Sequence, residues 1–463
     1  MSTDTTPVGS LEDILARTHR VPPMHDFPTV DALLAWFDDL AADHPDLVST
    51  RRIGTSRLGE PIPMVTVGHG PRRHLLFAGV HPNEPIGFRT LQHLAEQLCT
   101  DPALRDAYDA TWYLVPCIDP DGTRLNEGWF ADPTRRTTYS RRFYRPAPDE
   151  QVEWTFPFSY KDAWFDQVLP ETLALMRVID DVQPHLMVSL HNAELGGVYY
   201  YLSEEVPGLV RALHAIPAEL GLPLETGEPE SPALRAMAPA VYHAISMAEE
   251  YAYLEELGID PGPASCGDSS GSYAARYGTV SLVAELPYWS HPLSDDDTPT
   301  ATSYRDVVLS KADGLADAGG LLAAILDEAA PDLGIRSPFL RASEAFVPML
   351  TRMAEQERVR AALPECSRPA TAAEVFSNDD LVRCFRLRYG GMLLRALDAE
   401  VVAGTATARV HRLHERMADL YARWTAEADA VEGLEVIDVA RLVGVQLGAT
   451  LAAAQALAAR DAR

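Results

Sequence analysis

Residues 77–88 read FAGVHPNEPIGF, an apolar run followed by His81, Pro82, Asn83 and Glu84. An imidazole and a carboxylate three residues apart, where a strand gives way to a turn, are either polar turn residues or two donors of a metal site. Catalytic zinc takes three protein ligands and keeps one position for water, and His2Glu is one of its ligand sets. The third ligand must come from elsewhere in the chain. His191 fits, because it ends the apolar run LMVSL and is followed by polar Asn192. A water activated at such a site needs a carboxylate to take its proton and deliver it to a leaving nitrogen. Glu285 ends the apolar run VSLVAE, where a carboxylate without a partner or a task is costly.

These groups need elements that hold them. From residue 28 helical and strand-like segments alternate. PTVDALLAWFDDLAADHP has helical period with Thr29 and Asp31 as possible caps. GEPIPMVTVG, RRHLLFAGV, TWYLVPCIDPDG, LMVSLH and TVSLVAELPYW are strand-like, and residues 84–98 and 169–182 have helical patterns. Apolar strands separated by helices predict an α/β fold with a mixed, mostly parallel central sheet flanked by helices. Sites in such sheets lie beyond the carboxyl ends of the strands, where the reactive groups fall. After Pro331 helix-period segments dominate: 339–363, 379–399, 406–430 and 436–459, with Ser337-Pro338 as N-cap and first helical residue. The expected division is an N-terminal extension (1–27), a catalytic domain (28–330) and an all-α bundle (331–463).

Composition narrows the partners. Lys and Arg number 39 against 67 Asp and Glu, a formal charge of −28. That balance repels phosphate backbones and anionic lipid, so neither nucleic acid nor membrane is the expected partner. Five scattered cysteines form neither a disulfide framework nor a zinc-knuckle spacing, and residues 1–20 lack the apolar core of a secretory signal. The expectation is a cytoplasmic, reduced protein. LVGVQLGATLAAAQALAA is almost wholly apolar, yet Gln446, Thr450 and Gln455 interrupt it, which predicts a buried helix rather than a membrane span.

Taken in order, the opening helix, RRIGTSRLGEPIPMVTVG, the HPNE turn, the PDG turn, SLHN and VAELPYW resemble the M14 zinc carboxypeptidases over roughly residues 28–325. The resemblance implies one zinc per chain on His81, Glu84 and His191, with Glu285 as general base. It also implies a peptide or small carboxylate-bearing substrate cleaved at its C-terminal amide bond. The family's Asn-Arg pair, which holds the terminal carboxylate, is missing. In its region stands DPTRRTTYSRRFYRP, with Arg135, Arg136, Arg141, Arg142 and Arg145. Guanidinium forks suit carboxylates. Arg141 is the expected anchor, preceded by Ser140 where the family has asparagine, and Arg135 or Arg136 the expected carbonyl polariser; a solvated loop is the competing explanation. Cys266 falls near the position of a tyrosine that folds over substrate in peptide-cleaving relatives. Tyr273 follows it and is expected to line the side-chain pocket.

Other candidates read as structural. Glu194, three residues after His191, is a group that orients a ligand, a substrate contact or an ordinary polar loop residue. His411 and His414 suit an exposed helix face, and His69 and His74 a surface or sheet edge. Two other functions compete with the peptidase: an N-acyl amino acid deacylase of the same superfamily, favoured by the missing Asn-Arg pair and the arginine excess, and a silent binding protein. The helical region is a candidate lid, size filter or dimerisation surface.

Overall fold

The computed structural model describes residues 6–262 and 266–461. Its main sheet contains β1 (Val48–Thr55), β2 (Pro61–Val67), β3 (Arg72–Ala78), β4 (Ala110–Val115), β5 (Leu186–Leu190), β6 (Tyr199–Leu202), β7 (Ala236–Ala238), β8 (Val241–His243) and β9 (Val280–Glu285). The spatial order is β1-β2-β4-β3-β5-β9-β6-β8-β7. Strands β4, β3, β5 and β9 run parallel in the centre, and antiparallel pairings flank them on both sides. The fold is therefore a mixed α/β sheet with a parallel core.

The two-residue period of the strands divides the core into two layers. Leu75, Phe77 and Met187 pack on one face with Leu175, Val178 and Ile179 of a covering helix, Pro170–Val182. Leu76, Ala78, Val188 and Leu190 join the larger core on the other face. That face is covered by helices α1 (Leu11–Thr18), α2 (Val30–Asp43) and α3 (Ile86–Thr100) together with a helix from the far end of the chain. Helix α2 starts as its sequence predicts, with Thr29 Oγ1 accepting from Ala32 N. Gly87 lets α3 lie close to the sheet, since a Cβ there would come within 2.7 Å of Leu190 Cβ and 2.8 Å of Ala78 Cβ.

His74 departs from expectation. It lies on β3, an inner strand rather than an edge, and is 1% exposed with its ring 4.7 Å from that of Trp112. Burial pushes its imidazole down to about 3, so it is neutral. His69 is exposed, as expected.

The helices after the sheet follow the predicted segments, but they do not form one appended unit. We number them α4 (Tyr304–Ala329), α5 (Pro338–Ala361), α6 (Ala372–Ala403), α7 (Ala408–Asp429) and α8 (Val439–Asp461). Helices α4 to α7 pack on one another, so the bundle begins before residue 331. Ser337 Oγ caps α5 by accepting from Leu340 N. Helix α8 leaves the bundle and packs on α1, α3 and the ends of β5 and β9. It is long and apolar enough to cross a membrane, yet 78% of its most apolar window is buried inside the protein. The expected extension is likewise docked, since α1 packs on α8; residues 1–5 lie outside the described residues.

Candidate metal centre

The parallel core explains how distant residues meet. Ala78, Leu190 and Ala284 stand in register on the adjacent strands β3, β5 and β9. The next residues, Gly79, His191 and Glu285, therefore leave the sheet side by side. Gly79 has φ +69, and a Cβ there would lie 3.1 Å from both Cys117 Sγ and Phe88, so this tight exit favours glycine. It delivers the chain into the HPNE turn.

One donor atom from each of His81, Glu84 and His191 lies within 4.8 Å of the others. Glu84 Oε2 is 3.1 Å from His81 Nδ1 and 3.2 Å from His191 Nδ1. His191 Nε2 is 2.7 Å from Ser189 Oγ. Ser189 Oγ can hold the Nε2 proton, the second partner that ligating histidines usually have, so a metal ion would displace only the Nδ1 proton that faces Glu84. Buried His191 Nδ1 makes no well-aligned hydrogen bond, although Glu84 Oε2 lies 3.2 Å away. Two imidazoles and a carboxylate converging with such a nitrogen fit a zinc ion.

The surroundings set the charges. Glu84 is buried, but His81 and Arg145 outweigh burial and hold its carboxyl well below the usual range. Burial pulls the His191 imidazole down, but the carboxylates of Glu84 and Glu285 raise it to about 9. Burial and the Arg145 charge push His81 down to about 3. Glu285 is 6% exposed, and its Oε1 lies 3.5 Å from His191 Nδ1. Burial raises its carboxyl well above the usual range. Glu153, buried near His191, is raised to about 7 by burial; its Oε1 accepts from Ser270 N and Oγ, and its Oε2 has no partner. Tyr199 stands opposite Glu285 across the β9–β6 pair. The hydroxyls of Tyr199 and Tyr201 donate to Glu230 at 2.8 and 2.7 Å. The wall beside Glu285 is thus aromatic and acidic.

The turn is braced from below. Asn192 N donates to Glu84 Oε2, and Asn192 Oδ1 accepts from Ile86 N. Tyr288 Oη lies 3.0 Å from Asn83 O and 3.2 Å from Asn192 Oδ1.

Of the expected substrate residues, Arg136, Arg141 and Tyr273 are held by other partners. Arg135 and Arg142 are exposed. Arg136 is buried, with Nε 2.7 Å from Glu194 Oε1 and both Nη atoms 2.8 Å from Asp380. Arg141 pairs with Asp398 at 2.8 Å. Tyr273 donates to Asp180 on the helix Pro170–Val182, and Arg276 stacks on its ring. The arginines are dispersed because residues 136–142 are helical, which points successive side chains in different directions. Arg145, just past that helix, does reach the cluster, with Nη2 3.0 Å from Glu84 Oε1.

Glu194 is a buried anion rather than a polar loop residue. Arg388 Nε donates to its Oε2 at 2.7 Å, opposite Arg136, and Cys384 Sγ lies 3.2 Å away. Burial raises the Glu194 carboxyl, but the two guanidiniums win and hold it at about 2. Asp380, Cys384 and Arg388 all come from α6. The second His-x-x-Glu spacing pointed to Glu194; nothing local in the sequence pointed to its partners in α6. His414 pairs with Asp398 and stays part-exposed.

Three donors just beyond the carboxyl ends of parallel strands, with a fourth carboxylate beside them, make a candidate His2Glu metal centre on an α/β sheet. Residues 33–208 match the zinc carboxypeptidase family model, Peptidase_M14. That stretch is similar to the family and includes His81, Glu84 and His191, but it ends before Glu285. Zinc carboxypeptidase A 1 of Anopheles gambiae is 32% identical over 28% of this chain and 31% of its own length. Carboxypeptidase B of Astacus astacus is 30% identical over 21% of this chain and 33% of its own length. The chain thus spans about a third of the length of these curated relatives. The crystal structure of carboxypeptidase A from Helicoverpa armigera superposes with a TM-score of 0.37 and 12% identity, covering 76% of this chain and 79% of that one.

Proposed function

We propose that the protein is a zinc-dependent metallocarboxypeptidase that hydrolyses the C-terminal amide bond of a peptide or peptide-like molecule. The observation that carries this reading is the convergence of His81, Glu84 and His191 beside a fourth carboxylate, Glu285. Zinc held by the first three residues would supply the Lewis acid that lowers the pKa of a water and polarises a carbonyl. Glu285 takes the proton of the attacking water at its carboxylate and returns it to the leaving nitrogen. Its burial, which raises its affinity for a proton, suits that exchange. Arg145 is the cation nearest to hand for the substrate carbonyl, since it already borders Glu84.

The missing Asn-Arg pair still favours a deacylase, but the arginine excess supports it less in this geometry. Arg136 and Arg141 are engaged by Asp380 and Asp398, while Glu153 and Glu230 add negative charge around the centre. An extra carboxylate on the acyl group would add to that negative charge, with Arg145 the nearby cation to offset it. Blocked dipeptides are therefore expected to be cleaved faster than N-acetyl amino acids, and N-succinyl amino acids slowest of all. Chelation should stop all turnover, and added zinc should restore it. Faster cleavage of N-acyl amino acids than of blocked dipeptides would instead favour the deacylase.

A further inference from the structure

The ligand set comes from two separate pieces of chain: the turn before α3 and the end of β5. One side chain from the far C-terminal helix touches the residue after β5 and the helix that follows the turn. Gln446 on α8 is 0% exposed. Its Nε2 donates to His191 O at 2.8 Å. Its Oε1 accepts from Thr90 Oγ1, on the second turn of α3, at 2.7 Å. The flanking residues Val443, Val445, Leu447 and Ala449 are apolar and buried, so an amide at this place gives up hydration that a leucine would not. Both ends of that amide are satisfied, by the two segments that must stay in register for the donors to converge.

We propose that Gln446 is a positioning residue for the metal centre, a bridge that fixes the backbone of His191 relative to the helix that follows the His81–Glu84 turn. The inference rests on the zinc reading of the site and adds to it a role for the C-terminal helix. Helix α8 then does more than cover the sheet: through Gln446 it sets the spacing between the two halves of the ligand set. Loosening the bridge lets His191 drift relative to Glu84, which weakens metal binding more than it weakens the fold.

The test compares zinc affinity by chelator competition in the full-length wild type, Gln446→Met and Thr90→Val, with circular dichroism and thermal unfolding of each apo protein. Methionine keeps the volume and removes both hydrogen bonds. Thr90→Val removes one end of the bridge and leaves the Gln446 bond to His191 O. Gln446→Met is expected to bind zinc about 10-fold or more weakly, the range seen when an outer partner of a metal ligand is lost. Thr90→Val should shift affinity in the same direction by less, and it carries the test if the first variant does not fold. Folded variants with lower melting temperatures but zinc affinities within about twofold of wild type would overturn the proposal, since purely structural packing predicts that pattern. A wild type that takes up no zinc would instead remove the metal reading on which the proposal stands.

Discussion

Glu285→Gln is expected to lower turnover about 100-fold or more, the usual contribution of a positioned general base, while zinc content stays at the wild-type level. Glutamine keeps the shape of the side chain and its place at the end of β9, but its amide cannot take a proton from water. Position is not in question, because Ala284 is in register with Leu190 and so fixes Glu285 next to His191. The 3.5 Å contact between Glu285 Oε1 and His191 Nδ1 puts the carboxylate beside the donor cluster without making it one of the three donors. Retained metal with lost turnover would separate this role from that of a ligand. An undiminished rate would remove Glu285 from the mechanism.

The second large effect concerns stability. Glu194→Ala should lower the unfolding free energy by about 3–5 kcal/mol, the cost of stranding a buried charge by removing its partner. The Glu194 side chain is 4% exposed and faces two guanidiniums. Arg136 keeps Asp380 after the substitution, but Arg388 loses its carboxylate and retains a 3.4 Å contact with the Tyr139 hydroxyl and the face of Phe143. Equilibrium denaturation measures the change. Because Glu194 joins the loop after β5 to α6, its loss should also loosen the bundle from the sheet domain. A change below about 1 kcal/mol, typical of an exposed ion pair, would mean that water reaches this network.

The candidate site is legible in the sequence because donors at strand ends interrupt apolar runs, and such interruptions are visible without knowing the fold. His81, Glu84, His191 and Glu285 all announce themselves in this way. Strand order is not legible: nothing in LMVSLH or VSLVAE says that β5 lies between β3 and β9, yet that order makes the donors meet. The same holds for His74, since a histidine near the start of a strand looks peripheral until the strand is known to be central. The arginine stretch could not be resolved either. Whether a guanidinium faces substrate or a carboxylate depends on Asp380 and Asp398, which are remote in sequence. Gln446 was visible as a polar break in an apolar helix, but its partners are 255 and 356 residues away. The bundle was legible as helices, whereas the departure of α8 from it was not, because an amphipathic period does not name the surface it packs on.

The central claim is that His81, Glu84 and His191 hold one zinc ion together. Metal content by mass spectrometry of gently purified wild type and His191→Ala tests it most directly. About one zinc per wild-type chain, with a large loss in the variant while circular dichroism stays native, is the predicted result. A wild type carrying less than roughly 0.2 zinc per chain that takes up none on titration, or a folded variant that keeps its zinc, would contradict it.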